Sequence, residues 1–155
     1  MELSRNLRVE SVSRLEASPP RSVDPSQTVG EAIRLMREQR VGCLLVCEGG
    51  RLTGLFTERD LLVRVLGCNK PMTTPVMEVM TAPAITIMPS DSIRMAIKRM
   101  QHGGHRHLPV VNENNEPVGI LSVKRIIHYL VEHFPGAVYN LPPEPSGVLR
   151  KREGA

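Results

Sequence analysis

A hydroxyl and a carboxylate stand three residues apart in the segment "GLFTERD", which covers residues 54–60. Thr57 and Asp60 fit two kinds of chemistry. A threonine N-cap followed at the third helical position by an acid forms a capping box, which satisfies free backbone N–H groups. A helix N-terminus also attracts phosphate, and a carboxylate one turn into the helix accepts hydrogen bonds from ribose hydroxyls. The spacing alone leaves both interpretations open.

The same pattern occurs a second time with a change of charge. Gly119 and Ser122 repeat the glycine and the hydroxyl, but Arg125 stands where the first copy has its acid. Arginine carries only donors, so it cannot accept hydrogen bonds from ribose hydroxyls. If the first copy binds a nucleotide, we therefore expect one nucleotide per chain, with the second copy empty or holding a simple anion.

Composition limits the classes of function. The 155 residues are 41% hydrophobic, no apolar run is long enough to cross a bilayer, and the first residues lack the apolar core of a signal peptide. We therefore expect a cytoplasmic protein. The sequence has no nucleophile motif, no Walker loop and no acid pair beyond helix caps, so we do not expect an enzyme.

Charge and cysteine content give weaker signals. The net charge of +4 suits an anionic partner, but much of the surplus lies in "RKRE" near the C-terminus. An aromatic content of 3% offers few platforms on which nucleic-acid bases could stack. Cys43 and Cys47 alternate with Leu45 at the period of a strand, which predicts one buried strand face in a reducing compartment.

Three histidines in "HGGHRH" invite a zinc interpretation, because imidazole is a good zinc ligand. His102, His105 and His107 have no cysteine or acid with ligand spacing nearby, and Gly103-Gly104 indicates a turn. We therefore predict no metal site.

The chain repeats itself at a spacing of about sixty-five residues. The segments "DPSQTVGEAIRLMREQ" and "MPSDSIRMAIKRMQHG" share apolar residues at helical spacing, and each helix is predicted to begin at a hydroxyl, Thr28 or Ser92. "CLLVCEGGRLTGLFTERDLL" aligns with "HLPVVNENNEPVGILSVKRII"; both indicate two strands, a polar turn and a final helix. Each unit is predicted as β-α-β-β-α, and two units together can bury surfaces that one alone cannot.

This pattern predicts five parts of the chain. They are an N-terminal segment (1–16), a first repeat (17–68), a linker (69–75), a second repeat (76–134) and an extended C-terminal tail (135–155).

The glycine and hydroxyl motif occurs once in each repeat, at Gly54 and at Gly119, and the two copies are in register. With this arrangement the chain resembles a tandem pair of CBS (cystathionine β-synthase) domains, which is called a Bateman module. The resemblance is carried by "GLFTERDLL", "VMTAPAITIMPSDSIRMAIKRM" and "HLPVVNENNEPVGILSVKRI". It implies a mixed α/β fold of the α+β type, in which two repeats pack about a pseudo-twofold axis and leave two clefts between them. Members of the family commonly bind adenosine-containing ligands in these clefts, and the modules often pair into disc-like dimers.

The resemblance also implies candidate binding residues. Nucleotide-binding members carry a glycine, a hydroxyl and an acid at the spacing of Gly54, Thr57 and Asp60, and Ser122 takes the hydroxyl position in the second repeat. In some relatives, such as kinase-regulating gamma subunits, one repeat holds the ribose while basic residues of the other meet the phosphates. The positions similar to those basic residues are Arg106, His107 and Lys124. A solvated loop end and a charged helix face explain these three residues equally well.

The leading hypothesis is a regulatory or sensory module that binds an adenine nucleotide in one cleft and relays its occupancy to an unidentified protein partner or through self-assembly. AMP is the first expected ligand, followed by ADP, ATP and S-adenosylmethionine; no cofactor is expected. Two alternatives stay open. One is a nucleic-acid-binding CBS protein, supported by the basic balance and "LRKRE"; the other is a dimerisation scaffold without a ligand.

The segments "DLLVRVL" and "RIIHYLVEHF" predict assembly. Both helices are apolar on more sides than one internal face requires, and such helices are usually buried on most sides. We expect a homodimer built from these two helices of each chain.

Overall fold

The computed structural model describes residues 2–136. The predicted extended tail, 135–155, therefore lies outside the described residues apart from its first two positions. The described chain begins with helix α1 (Glu2–Val9) and a 3₁₀ turn (Val12–Leu15). Among these residues, no helix combines the length and the apolar character needed to cross a bilayer.

The first repeat follows the predicted order of strands and helices. It consists of β1 (Ser22–Val23), α2 (Val29–Gln39), β2 (Cys43–Glu48), β3 (Arg51–Thr57), α3 (Glu58–Asp60) and a π-helical segment (Leu61–Leu66). Thr28 caps α2, as predicted, and forms a capping box with Glu31. The final helix is not α-helical throughout, because hydrogen bonds after Asp60 shift to the wider i→i+5 pattern, as from Gly67 N–H to the Leu62 carbonyl at 2.9 Å. Apolar spacing over two turns does not separate these two helix types.

The second repeat has the same order with a shorter first strand. It begins with a 3₁₀ turn (Val76–Glu78) and continues with α4 (Ile93–Gly103), β4 (His107–Val111), β5 (Pro117–Ser122) and α5 (Val123–His133). Ser92 caps α4, as its position before the apolar spacing predicts. Where β1 pairs with β2 in parallel over two residues, the second repeat has a single parallel bridge between Ile87 and Val110.

Each sheet is completed by a segment from the other half of the chain. Thr81, near the start of the second repeat, pairs with Leu55 of β3 through two backbone hydrogen bonds of 2.9 and 2.8 Å. Ser18, at the start of the first repeat, pairs with Ile120 of β5 in the same way, at 3.0 and 2.9 Å. This exchange follows the pseudo-twofold arrangement of the two repeats. We call each exchanged segment, residues 80–81 and residues 17–18, a crossing segment.

The core has one cluster inside each repeat and a third between them. Leu44 and Val46 of β2 point into the core of the first repeat, whereas Cys43, Leu45 and Cys47 face the cluster shared with the second. The predicted alternation of the cysteines on one buried strand face is therefore confirmed. Fully burying a side chain of this size contributes roughly 1.5–3 kcal/mol, so the shared face joins the two repeats firmly.

Candidate functional site

The glycine of each motif lies beneath a crossing segment. A methyl group on Gly54 would approach the Met80 sulfur and the Thr81 carbonyl to 2.8 Å, closer than atoms pack in folded proteins. A methyl group on Gly119 would lie 3.0 Å from the Ala17 methyl. The glycine in "GLFTERD" therefore answers a structural need, because it lets the crossing segment pair with β3.

Thr57 and Asp60 form the capping box that their spacing predicts. The Thr57 hydroxyl accepts a hydrogen bond from the Asp60 backbone N–H at 3.2 Å, and the Thr57 N–H donates to Asp60 Oδ2 at 3.0 Å. The same hydroxyl donates to Oδ2 at 3.1 Å. Asp60 is 5% exposed, so this carboxylate is held in one orientation at the start of α3.

The second oxygen of Asp60 is bound from outside the motif. The Thr81 hydroxyl donates to Oδ1 at 2.9 Å, and the Arg64 Nε lies 3.6 Å from the same atom. A carboxylate offers about four acceptor positions. Thr57 and Thr81 fill three of them with hydrogen bonds, and Arg64 stands beside the fourth, so the two hydroxyls of a ribose can both bind Asp60 only if Thr81 and Arg64 move away.

Arg64 connects the first repeat to a residue of the second. It lies on the π-helical segment, pairs with Asp60 one turn earlier, and donates through Nη1 to the Met80 carbonyl at 2.7 Å. Its side chain is 50% exposed, so solvent screens the pair and the guanidinium can leave at a modest cost. Arg64 therefore connects the candidate site to the crossing segment and to the surface of the helix.

The second repeat keeps the cap and changes the chemistry. Ser122 caps α5 by accepting from the Arg125 backbone N–H at 3.2 Å. The Arg125 side chain lines a cavity of about 340 Å³ between the 3₁₀ turn at residues 12–15 and α5. Within residues 2–136, no carboxylate lies within salt-bridge distance of Arg125. This position thus presents a donor where the first repeat presents an acceptor.

The predicted basic residues of the second repeat share one electrostatic environment. Partial burial lowers the pKa of His107; the carboxylate of Glu58 raises that pKa, while the positive charges of Arg106 and Lys124 lower it. Glu58 belongs to the first repeat and is the first residue of α3, the helix that ends at Asp60. The basic group and the start of α3 therefore lie close enough for their charges to interact.

Burial favours the neutral form of the first residue in each hairpin, Cys43 or His107. Burial, together with a smaller contribution from the negative charge of Asp60, raises the pKa of the Cys43 thiol to about 12. His107 stands at the same place in the second repeat, because Cys43 pairs with Thr57 and His107 pairs with Ser122. Across residues 2–136, no three histidine, cysteine or acidic side chains gather as a metal site requires.

Sequence reasoning missed Thr81, Arg64 and Glu58. Thr81 is 21 residues from Asp60 in the chain, and no local spacing connects them. Arg64 was visible as a basic residue four positions after an acid, a spacing that predicts a helical ion pair. Glu58 gave no signal, because its neighbours Arg106, His107 and Lys124 come from the other repeat.

Comparison with known proteins identifies the class. The CBS domain family model matches residues 12–67 and 76–132, which is more than half of the chain. The chain therefore belongs to the CBS domain family and contains two of these domains in tandem, which confirms the resemblance and the fold.

Individual relatives agree with this assignment. The chain is 37% identical over 102 residues to the CBS domain-containing protein YhcV of Bacillus subtilis (strain 168), covering 66% of this chain and 72% of YhcV. It superimposes with a TM-score of 0.70 on the CBS domain protein PAE2072 from Pyrobaculum aerophilum complexed with AMP, at 27% identity, covering 79% of this chain and 99% of that one.

A third solved structure shares the fold. The CBS domain pair of protein MJ0100, in complex with 5'-methylthioadenosine and S-adenosyl-L-methionine, gives a TM-score of 0.73 at 21% identity, covering 80% of this chain and 98% of that one. The family match and the AMP complex of PAE2072 support a regulatory ligand-binding module as the class of protein.

Proposed function

We propose that this protein is a regulatory module that binds one adenine nucleotide per chain, in the cleft beside Thr57 and Asp60. The observation that carries the proposal is the buried, oriented carboxylate of Asp60 at a helix start. A fixed carboxylate suits a cis-diol, because its oxygens are already oriented and only the Thr81 hydroxyl and the Arg64 guanidinium must leave Oδ1 to admit the ribose hydroxyls. The AMP held by PAE2072, a solved structure of the same family, supports an adenine nucleotide as the ligand class.

In this proposal the ribose hydroxyls bind Oδ1 of Asp60 in place of Thr81 and Arg64. The phosphate extends toward Ser122, Arg106, His107 and Lys124 of the second repeat. With His107 neutral, Arg106 and Lys124 contribute +2 and the nearby Glu58 contributes −1, a balance of +1. That charge suits a monophosphate better than a triphosphate, so we rank AMP ahead of ADP and ATP.

Arg64 provides a route by which occupancy reaches the surface. Once a ribose occupies Oδ1, Arg64 loses its ion pair with Asp60, and the crossing segment loses the Thr81 hydrogen bond. The π-helical segment that carries Arg64 also exposes Leu62, Val63 and Leu66, at 64%, 55% and 53%. We propose that a nucleotide relays its presence by loosening this segment and changing what binds its exposed face.

We propose that these exposed side chains lie in a homodimer interface. Of the residues that predicted assembly, Val65, Ile126 and Tyr129 are buried within the chain, whereas Leu62, Val63, Leu66 and Ile127 are not. Four exposed large apolar side chains on the final helices of both repeats favour coverage by a second copy. Light scattering at micromolar concentration tests this, and a monomer alone contradicts it.

We further propose a cytoplasmic protein without catalytic activity. Its three cysteines are free, which fits a reducing compartment. A regulatory role needs no turnover, and the nucleotide is expected to leave the protein unchanged.

A thermal-shift screen against AMP, ADP, ATP and S-adenosylmethionine tests the proposed function. A ligand at about a hundredfold excess over its Kd adds about 2.7 kcal/mol of stability, which gives a clear shift. We expect AMP to shift the parent protein and Arg125→Ala equally and to shift Asp60→Asn much less. No shift with any nucleotide favours a scaffold without a ligand, and an equal shift in Asp60→Asn contradicts the proposed site.

A further inference from the structure

A second concave surface lies on the second repeat, between α4 and the segment that leads into Ile87. It has a volume of about 530 Å³, and its walls include Ile85, Arg94, Met95, Lys98, Arg99 and His102. We call it the α4 groove. None of the residues proposed to bind nucleotide lines it.

The walls of the α4 groove are cationic. Arg94, Lys98 and His102 follow one another at intervals of one helical turn, so they share one face of α4. Arg99 is held in place: its Nη1 donates to the Thr86 carbonyl and lies 3.7 Å from Asp91. Within residues 2–136, neither Lys98 nor His102 has a carboxylate partner.

The groove also contains apolar surface that the core does not use. α4 buries Ile93, Ala96 and Met100 in the second repeat, so its inward face is already complete. Met95 and Ile85 remain 39% and 37% exposed between the cationic side chains. Methionine adapts its shape to varied apolar partners, which suits a surface that accepts side chains from another protein.

Positive charge continues from the groove onto α1. This helix has no buried residue and packs against α4, where Arg94 Nη1 lies 3.5 Å from the Ser4 hydroxyl. An adjoining concave surface is lined by Arg5 and Arg8, with Glu2 as its single acid. The cationic surface therefore extends over two packed helices.

We propose that the α4 groove docks an acidic peptide segment of a partner protein, with apolar side chains of that segment on Met95 and Ile85. Charge complementarity selects carboxylates, and the apolar floor selects a segment that also has hydrophobic anchors. A nucleic acid fits less well, because no Phe, Tyr or Trp lines the groove to stack on a base and a phosphate backbone gains nothing from Met95. The proposal does not depend on nucleotide binding.

Fluorescence polarisation tests the proposal on the full chain without nucleotide. The probe is a fluorescein-labelled peptide of about sixteen residues, rich in glutamate and carrying four leucines. A second peptide has serine in place of each leucine, and a third probe is a DNA duplex of about twenty base pairs. We expect the leucine peptide to bind at least about tenfold more tightly than either of the others.

Variants locate the binding surface. Lys98→Glu is expected to weaken the leucine peptide about tenfold and Met95→Ser about fivefold, while the matched exposed controls Lys70→Glu and Met77→Ser leave it unchanged. Thermal melting confirms that each variant folds. Equal binding of the serine peptide, tighter binding of the duplex, no binding of the leucine peptide, or equal loss in the control variants each overturns the proposal.

Discussion

The two repeats share a hydroxyl cap at the start of their final helices but carry opposite charges at the same helical position. In the first, Asp60 is buried and accepts a hydrogen bond from Thr81 of the crossing segment. In the second, Arg125 takes that position, and among the described residues no hydrogen bond joins it to Ser18 of the equivalent segment. The comparison shows that hydroxyl caps and exchanged segments maintain the fold in both repeats. The side chain at position 60 or 125 then decides whether the start of the final helix offers an acceptor or a donor.

The residue one turn later also differs. Arg64 ties the first helix to Asp60 and to the Met80 carbonyl and stays half exposed. Tyr129 takes this place in the second repeat, where it is buried and stacks on His133 with ring centroids 4.2 Å apart. The first repeat therefore has a polar connection that a ligand can break, and the second has a packed aromatic contact.

The largest expected difference is in stability. Asp60→Ala removes an acceptor from the Thr57 N–H and hydroxyl and from Thr81, so we expect the free energy of unfolding to fall by about 2–4 kcal/mol. Arg125→Ala removes no paired group and is expected to change it by less than about 0.5 kcal/mol. Urea denaturation measures both, and equal losses would show that the two positions are alike.

The motif glycines sharpen the comparison. Gly54→Ala forces a methyl group to 2.8 Å from the Thr81 carbonyl, whereas Gly119→Ala brings one to 3.0 Å from the Ala17 methyl. We expect losses of about 1–3 kcal/mol for the first and the lower end of that range for the second. The reverse order in urea denaturation contradicts the closer approach in the first repeat.

Arg64 is expected to compete with the nucleotide. An ion pair this exposed is worth about 0.2–1 kcal/mol, so Arg64→Ala should raise AMP affinity by up to about fivefold. Arg59→Ala, a neighbouring exposed arginine outside the ion pair, serves as the control. A fall in affinity for Arg64→Ala, measured by calorimetry, means that Arg64 binds the ligand rather than competing with it.

The lowered pKa of His107 predicts that the stability of the protein depends on pH. Because the pKa of His107 is lowered on folding, its contribution to stability is complete above the ordinary pKa of about 6.5 and is lost as the pH falls through the folded pKa. Lys124→Gln removes a charge that lowers the pKa, so the NMR titration of His107 should move to higher pH. If the titration midpoint of His107 is unchanged or lower in Lys124→Gln, the charge of Lys124 does not lower the pKa of His107.

The smallest expected effect concerns the reactivity of the Cys43 thiol. With a pKa of about 12 it has almost no thiolate near neutral pH, whereas Cys68 is exposed. We expect iodoacetamide to label Cys68 rapidly and Cys43 only after unfolding. Rapid labelling that survives Cys68→Ala and maps to Cys43 contradicts its burial.

Local features of the fold could be predicted from sequence because neighbouring residues determine them. Thr28, Ser92 and the box between Thr57 and Asp60 follow from capping chemistry at fixed spacing, and the alternation around Leu45 follows from strand geometry. The repeat then allowed each element of one half to predict its counterpart in the other.

Contacts between distant parts of the chain could not be predicted in this way. The hydrogen bond from Thr81 to Asp60 depends on an exchanged segment, and the approach of Glu58 to the basic group depends on how two repeats pack. Residue spacing contains neither kind of information. The sequence therefore pointed to Asp60 as a candidate ligand group without showing that its acceptors are already occupied.

Calorimetric titration of AMP into the parent protein, Asp60→Asn and Arg125→Ala tests the central claim most directly. Asparagine can still cap α3 but lacks the charge and one acceptor, so a loss of affinity can be separated from a loss of folding. We predict one AMP per chain, affinity about tenfold to a hundredfold weaker in Asp60→Asn, and affinity within about twofold of the parent in Arg125→Ala. Two equivalent sites per chain, or unchanged affinity in Asp60→Asn, would contradict the assignment of the nucleotide to the first repeat.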